Sequence, residues 1–104
     1  MLDSSHKFEY WNLTRKGMSQ SEVSREVKVT RQAVNKAVKS YERDLLNDLL
    51  KFSQSMGILV EWYSVNHGVL VGILPQLDNL LVMLIIDDYG KLKVHYDPQN
   101  KSSR

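Results

Sequence analysis

Arg31, Gln32, Asn35, Lys36 and Lys39 follow one another at helical spacing directly after Thr30. Their chemistry is long-reach hydrogen bonding rather than bond cleavage. Arg and Lys donate to guanine, Asn and Gln pair with adenine, and Lys also reaches backbone phosphate. Such a set needs a helix that shows it to one side and buries the other. Ala33, Val34, Ala37 and Val38 supply the buried side, at the i, i+1, i+4, i+5 spacing of an inward stripe. Thr30 is placed to cap that helix, because its hydroxyl can accept from an orphan amide in the first turn.

The elements that position these residues lie just upstream. A short helix opens at Ser19 or Gln20 and carries Val23 and Val27, four apart, on its inner face. Ser19 and Glu22 have the spacing of a capping box. The open amides of that turn, around Ser19, Gln20 and Ser21, suit a phosphate. Lys28-Val29 is the break between the two helices. The pattern is a helix-turn-helix, with Arg31, Gln32, Asn35 and Lys36 as candidate base readers. Ser19, Gln20, Ser21, Lys28, Thr30 and Lys39 are the candidate phosphate contacts.

The stretch Gln20 to Val38 resembles the helix-turn-helix of the phage Cro-type repressors and of plasmid repressors of the TrfB/KorA type. The resemblance runs ungapped through Gln20, the small Ser24, the aliphatic Val29, and Ala33-Val34-Asn35-Lys36-Ala37-Val38. It implies that the second helix reads bases in the major groove and that Gln20 holds a phosphate. One departure stands out: the family usually has Gly at the turn, and this chain has Lys28. A non-Gly residue in a left-handed backbone costs about 1 kcal/mol, which predicts a wider or reshaped turn. The match covers under a fifth of the chain and does not extend to the C-terminal half.

Charge is distributed as such a head requires. The chain carries a net +2, but Lys7 to Arg43 holds nine basic residues against four acidic ones. From Gly57 onward four basic residues face five acidic ones. Cations concentrated over one half are what a phosphate footprint needs. Cysteine is absent, which excludes disulfides, thiolate metal sites and cysteine nucleophiles. His6, His67 and His95 lack metal-ligand spacing, and no Gly-rich phosphate loop or nucleophile elbow occurs. No enzyme activity, cofactor or metal is expected. The opening MLDSSHKFEYW has neither the apolar core of a signal peptide nor a membrane span, so a cytoplasmic location is expected.

The remaining pattern predicts an α+β chain. A first helix over Ser4 to Lys16 packs Phe8, Trp11 and Leu13 on the motif, with Gly17 closing it. Trp11 and Tyr10 are also candidates for base stacking, though core packing is the expected role. No Gly or Pro interrupts Thr30 to Met56, which predicts one long linking helix. Its later apolar residues form a seam wide enough for both a sheet and a second copy of the chain. After Gly57 the pattern becomes extended: Ile58–Val65, Val69–Leu74, Leu80–Ile86 and Lys91–Tyr96 predict an antiparallel β-meander of three to four strands. Leu92, Val94 and Tyr96 should point in, and Lys93 and His95 out.

The expected organisation is a DNA-binding head over 1–43, a helical continuation over 44–56, a sheet domain over 57–98 and a tail over 99–104. The expected function is sequence-specific recognition of double-stranded DNA by a homodimeric regulator. Tyr41, Leu45, Leu49, Phe52, Leu80, Val82 and Leu84 are the candidate dimer contacts. A small-molecule effector lined by Trp62, Tyr63 and Tyr96 is conceivable, with core packing the commoner role for such aromatics. A protein-interaction module or an RNA-binding module using the same basic face is the alternative.

Overall fold

The computed structural model describes residues 4–97; the expected tail over 99–104 lies outside them. Three helices, α1 (Ser4–Arg15), α2 (Gln20–Val27) and α3 (Arg31–Met56), precede four strands. The strands are β1 (Leu59–Ser64), β2 (Val69–Leu74), β3 (Leu80–Ile86) and β4 (Leu92–Asp97). They form one antiparallel sheet in the order β1-β2-β3-β4, the meander expected from the sequence. The chain divides into two compact units between Asp44 and Leu45, within the uninterrupted α3. Among the described residues, no helix is long and apolar enough to cross a membrane.

The first unit is three helices around an aromatic centre. Tyr10, Trp11, Val23, Val34, Ala37 and Val38 are buried. Trp11 packs on Tyr41, ring centroids 4.9 Å apart, and Phe8 touches both rings. The burial of Tyr10 and Trp11 removes them as base-stacking side chains. α1 ends in a Schellman turn: Gly17, at φ +113°, donates to Thr14 O, and Met18 N–H donates to Leu13 O. Lys7 ties α1 to α3, donating to Ser40 Oγ at 2.9 Å and lying 3.8 Å from an Asp44 carboxylate oxygen.

In the second unit the C-terminal turns of α3 bury Leu45, Leu49 and Ser53, which share one helical stripe. Ser53 Oγ donates to Leu49 O, so the hydroxyl is satisfied without a partner from the sheet. On the sheet, alternation buries Leu70 and Leu74 of β2 and Val82, Leu84 and Ile86 of β3. The stripe and this inner sheet face are the buried surfaces of the unit. The register puts Leu92, Val94 and Tyr96 on that inner face and Lys93 and His95 on the outer one, as the alternation predicts.

Two features close the sheet at β1. The pairing of β1 with β2 slips between Val60 and Trp62, leaving Glu61 as an extra residue in a bulge. The bulge resets alternation, so Trp62 pairs with Val71 on the outer face and Tyr63 with Leu70 on the inner one. Gly72 allows the start of β1 to approach β2, since a Cβ there would press on the Leu59 carbonyl oxygen and Ile58 Cγ2. The segment after β2 contains a 3₁₀ turn over Pro75–Leu77. Asp87 Oδ1 accepts from the amides of Tyr89 and Lys91, which sets the turn into β4.

These facts correct the expected dimer contacts. Leu45, Leu49, Val82 and Leu84 belong to the chain's own core, and Leu80 shares their sheet face. Tyr41 stacks inside the first unit. A continuous apolar strand such as β3 carries no sequence signal for which face turns inward. The aromatic trio also fails to converge. Trp62 lies on the outer face, Tyr63 and Tyr96 sit on the inner face at opposite edges, and all three are about half exposed. At that exposure they are not core residues.

Candidate nucleic-acid interface

The interface is built from two caps and a turn. Ser19 Oγ accepts from Glu22 N–H at 3.1 Å, and the Glu22 carboxylate accepts from Ser19 N–H at 2.8 Å. The capping box inferred from spacing is therefore formed. The Ser19 backbone amide, and after it the Ser19 hydroxyl, hold the Glu22 carboxyl below its ordinary range, with Arg25 adding to the effect. The box also occupies the Ser19 side chain and amide. Gln20 and Ser21 stand at the first two helical positions, where amides have no partner within the helix.

Lys28 adopts the left-handed conformation at φ 61° and ψ 42°. The turn thus keeps the shape a glycine would give it, and the expected widening does not occur. It is held by Lys28 N–H to Ser24 O at 2.9 Å and Val29 N–H to Ser24 O at 3.3 Å, with Ser24 Oγ donating to Val29 O. A small hydroxyl residue at 24 therefore offsets the cost of a side chain at 28. Two residues on, Thr30 Oγ1 accepts from Ala33 N–H at 3.1 Å, the N-cap expected for α3.

Past that cap, α3 separates its faces. Val34, Ala37 and Val38 are buried, while Arg31, Gln32, Lys36 and Lys39 are exposed and Asn35 is half-exposed. At about 100° per residue, Arg31, Asn35, Lys39, Gln32 and Lys36 fall within one arc of about 140°. Arg43 falls in the same arc and is exposed. Its place on this face, one turn beyond Lys39, was not recognised from the sequence, although carrying the helical period past Lys39 reveals it. Lys7 and Lys36 also line a groove of about 310 Å³ beside α3, together with Ala33, Ala37 and Ser40. Lys7 was visible in the sequence only as one more charge.

Gln20 and Asn35, expected as a phosphate contact and a base reader, are brought together. Gln20 Nε2 donates to Asn35 Oδ1 at 3.1 Å, a link from the start of α2 to the exposed face of α3. Asn35 keeps a second lone pair on Oδ1 and both hydrogens on Nδ2, the set needed to engage adenine N6 and N7. Glu42 is the acidic member of the face. Burial raises its carboxyl above the ordinary range, partly offset by Lys39.

Among the described residues, no group of three or more His, Cys, Asp or Glu side chains could hold a metal ion. Comparison with family models, curated proteins and solved structures returns no match.

Proposed function

We propose that this chain is a sequence-specific double-stranded DNA-binding regulator of transcription that works as a homodimer in the cytoplasm. The first turns of α3 enter the major groove. Arg31, Gln32, Asn35 and Lys36 read base edges, while Gln20, Ser21, Lys28, Thr30 and Lys39 hold phosphates, with Ser19 shaping the turn. A two-fold pair would place two such helices in successive major grooves, about 34–36 Å apart, on a near-palindromic site. The observation that carries the reading is the Gln20–Asn35 hydrogen bond beneath an exposed Arg/Gln/Lys face. It orients a carboxamide at the centre of that face instead of leaving it to solvent. The resemblance to the repressor motif supports the same assignment. No catalysis, metal or cofactor enters it.

A competition between duplex DNA and duplex RNA across a salt series tests the class of partner. A helix fits the DNA major groove but not the narrow A-form groove, so DNA should win. Lys39→Ala should weaken every sequence alike and reduce the salt slope by about 0.9. Preference for RNA would favour the RNA-binding module. Absence of nucleic-acid binding near physiological salt would leave a protein-interaction module.

A further inference from the structure

We infer that the outer face of the sheet is the surface on which a second copy of this chain packs, about a two-fold axis lying across the strands. The inference rests on the homodimer in the proposed function, not on its DNA contacts. Register defines the face row by row. Its central row is Trp62, Val71, Met83 and His95. One flanking row is Leu59, Ile73, Leu81 and Asp97; the other is Ser64, Val69, Ile85 and Lys93. Leu59 is 58% exposed and Trp62 55%, the two largest apolar exposures on the face. The bulge at Glu61 is what turns Trp62 outward, onto the central row.

The face is complementary to itself. A two-fold axis along the central row lays each flanking row on the other row of the partner, as an isologous contact requires. Aliphatic then meets aliphatic, Ile73 and Leu81 against Val69 and Ile85. At the β4 rim, Lys93 of each copy comes opposite Asp97 of the other. Within one strand these two are four residues apart, about 13 Å, and Lys93 Nζ already lies 3.8 Å from Asp87 Oδ2 of its own chain, so the partner's Asp97 would be a further anion for it. A depression of about 310 Å³ bounded by Leu81, Met83, His95 and Asp97 lies where the partner rows would seat. Four strands of about six residues give a flat footprint of about 400 Å² per copy. Two copies would bury about 800 Å² in total, below the standard specific interface, which predicts a weak dimer in exchange with monomer.

Sedimentation equilibrium of the full chain over a wide concentration range, without DNA, tests this directly. Wild type should show a monomer–dimer equilibrium, and Met83→Arg should weaken it at least tenfold. Lys93→Asp and Asp97→Lys should each weaken it several-fold, and the double exchange K93D/D97K should restore it. Lys93→Asp also removes the cation beside Asp87, so thermal melts check that each variant is folded before its association is scored. A wild type that stays monomeric at every concentration would overturn the inference. So would a dimer indifferent to Met83→Arg, or charge exchanges without rescue. The DNA reading is scored separately by footprinting. A monomeric variant that still protects a half-site retains that reading, whereas an intact dimer that protects no preferred sequence removes it and leaves the interface standing.

Discussion

Gln20 and Asn35, fifteen residues apart, are joined through a 3.1 Å hydrogen bond between their carboxamides. The bond couples the two helices of the motif on the side that faces away from the core. If Asn35 reads a base, Gln20 fixes how its amide is presented. Asn35→Ala should then cost about 1–3 kcal/mol in affinity for the best site and relax preference at one base pair. Gln20→Ala should weaken the same discrimination, and a double-mutant cycle should show the two losses to be non-additive. Additive losses would mean that the bond has no bearing on recognition.

Lys28 sets stability against binding. Replacing it with Gly relieves a left-handed side chain and should raise stability by about 0.5–1 kcal/mol. The same change removes a cation from the turn and should lower duplex affinity with a shallower salt dependence. Denaturant melts and salt titrations of Lys28→Gly should therefore move in opposite directions.

The capping box gives a pH signature. Because the Glu22 carboxyl is held below its ordinary range, its contribution is present above that range, near pH 4.3. It is lost as pH falls through the lowered folded value. The stability difference between wild type and Glu22→Gln should be greatest at neutral pH and disappear in acid. Asp87 is lowered too, chiefly by the Lys91 amide with help from Tyr89. The comparison isolates Glu22 because Asp87 is the same in both proteins.

Glu42 behaves in the opposite sense. Burial raises its carboxyl, so its ionisation penalises the fold above the raised value and not at all below the ordinary one. Glu42→Gln should stabilise by up to about 0.5 kcal/mol at neutral pH, after screening at a partly exposed site. The gain should vanish in acid. Removal of an anion from the face that carries Lys39 should also tighten duplex binding. Weaker binding by this variant would place Glu42 outside the interface.

Gly72 is required by close approach rather than by an unusual turn. A methyl group there meets the backbone of Leu59, which cannot rotate away. Gly72→Ala should cost about 1–3 kcal/mol through displacement of β1, seen as a lower melting midpoint. A variant as stable as wild type would show that β1 yields freely.

The helical half was legible because its signals are local. Ser19 and Glu22 announce a cap, Thr30 announces another, and Gln20 to Lys39 separates apolar from polar positions by period alone. The four strands were legible from β-branched runs and turn residues. What stayed hidden depends on pairing. The bulge at Glu61 reverses the side to which Trp62 points, and only the register with β2 reveals it. The run Leu80–Ile86 is apolar throughout, so its sequence does not say that Val82 and Leu84 turn inward while Leu81 and Met83 turn outward. The Gln20–Asn35 bond was likewise out of reach, since each residue was read for its own role and the angle between α2 and α3 joins them.

The most direct measurement is selection of bound duplexes from a random pool at about 150 mM salt, near physiological ionic strength, with wild type and Asn35→Ala side by side. Wild type should enrich an inverted repeat, and the variant should lose preference at one position per half-site. If wild type enriches no sequence, and its binding simply fades as salt rises, the claim that α3 reads bases is contradicted.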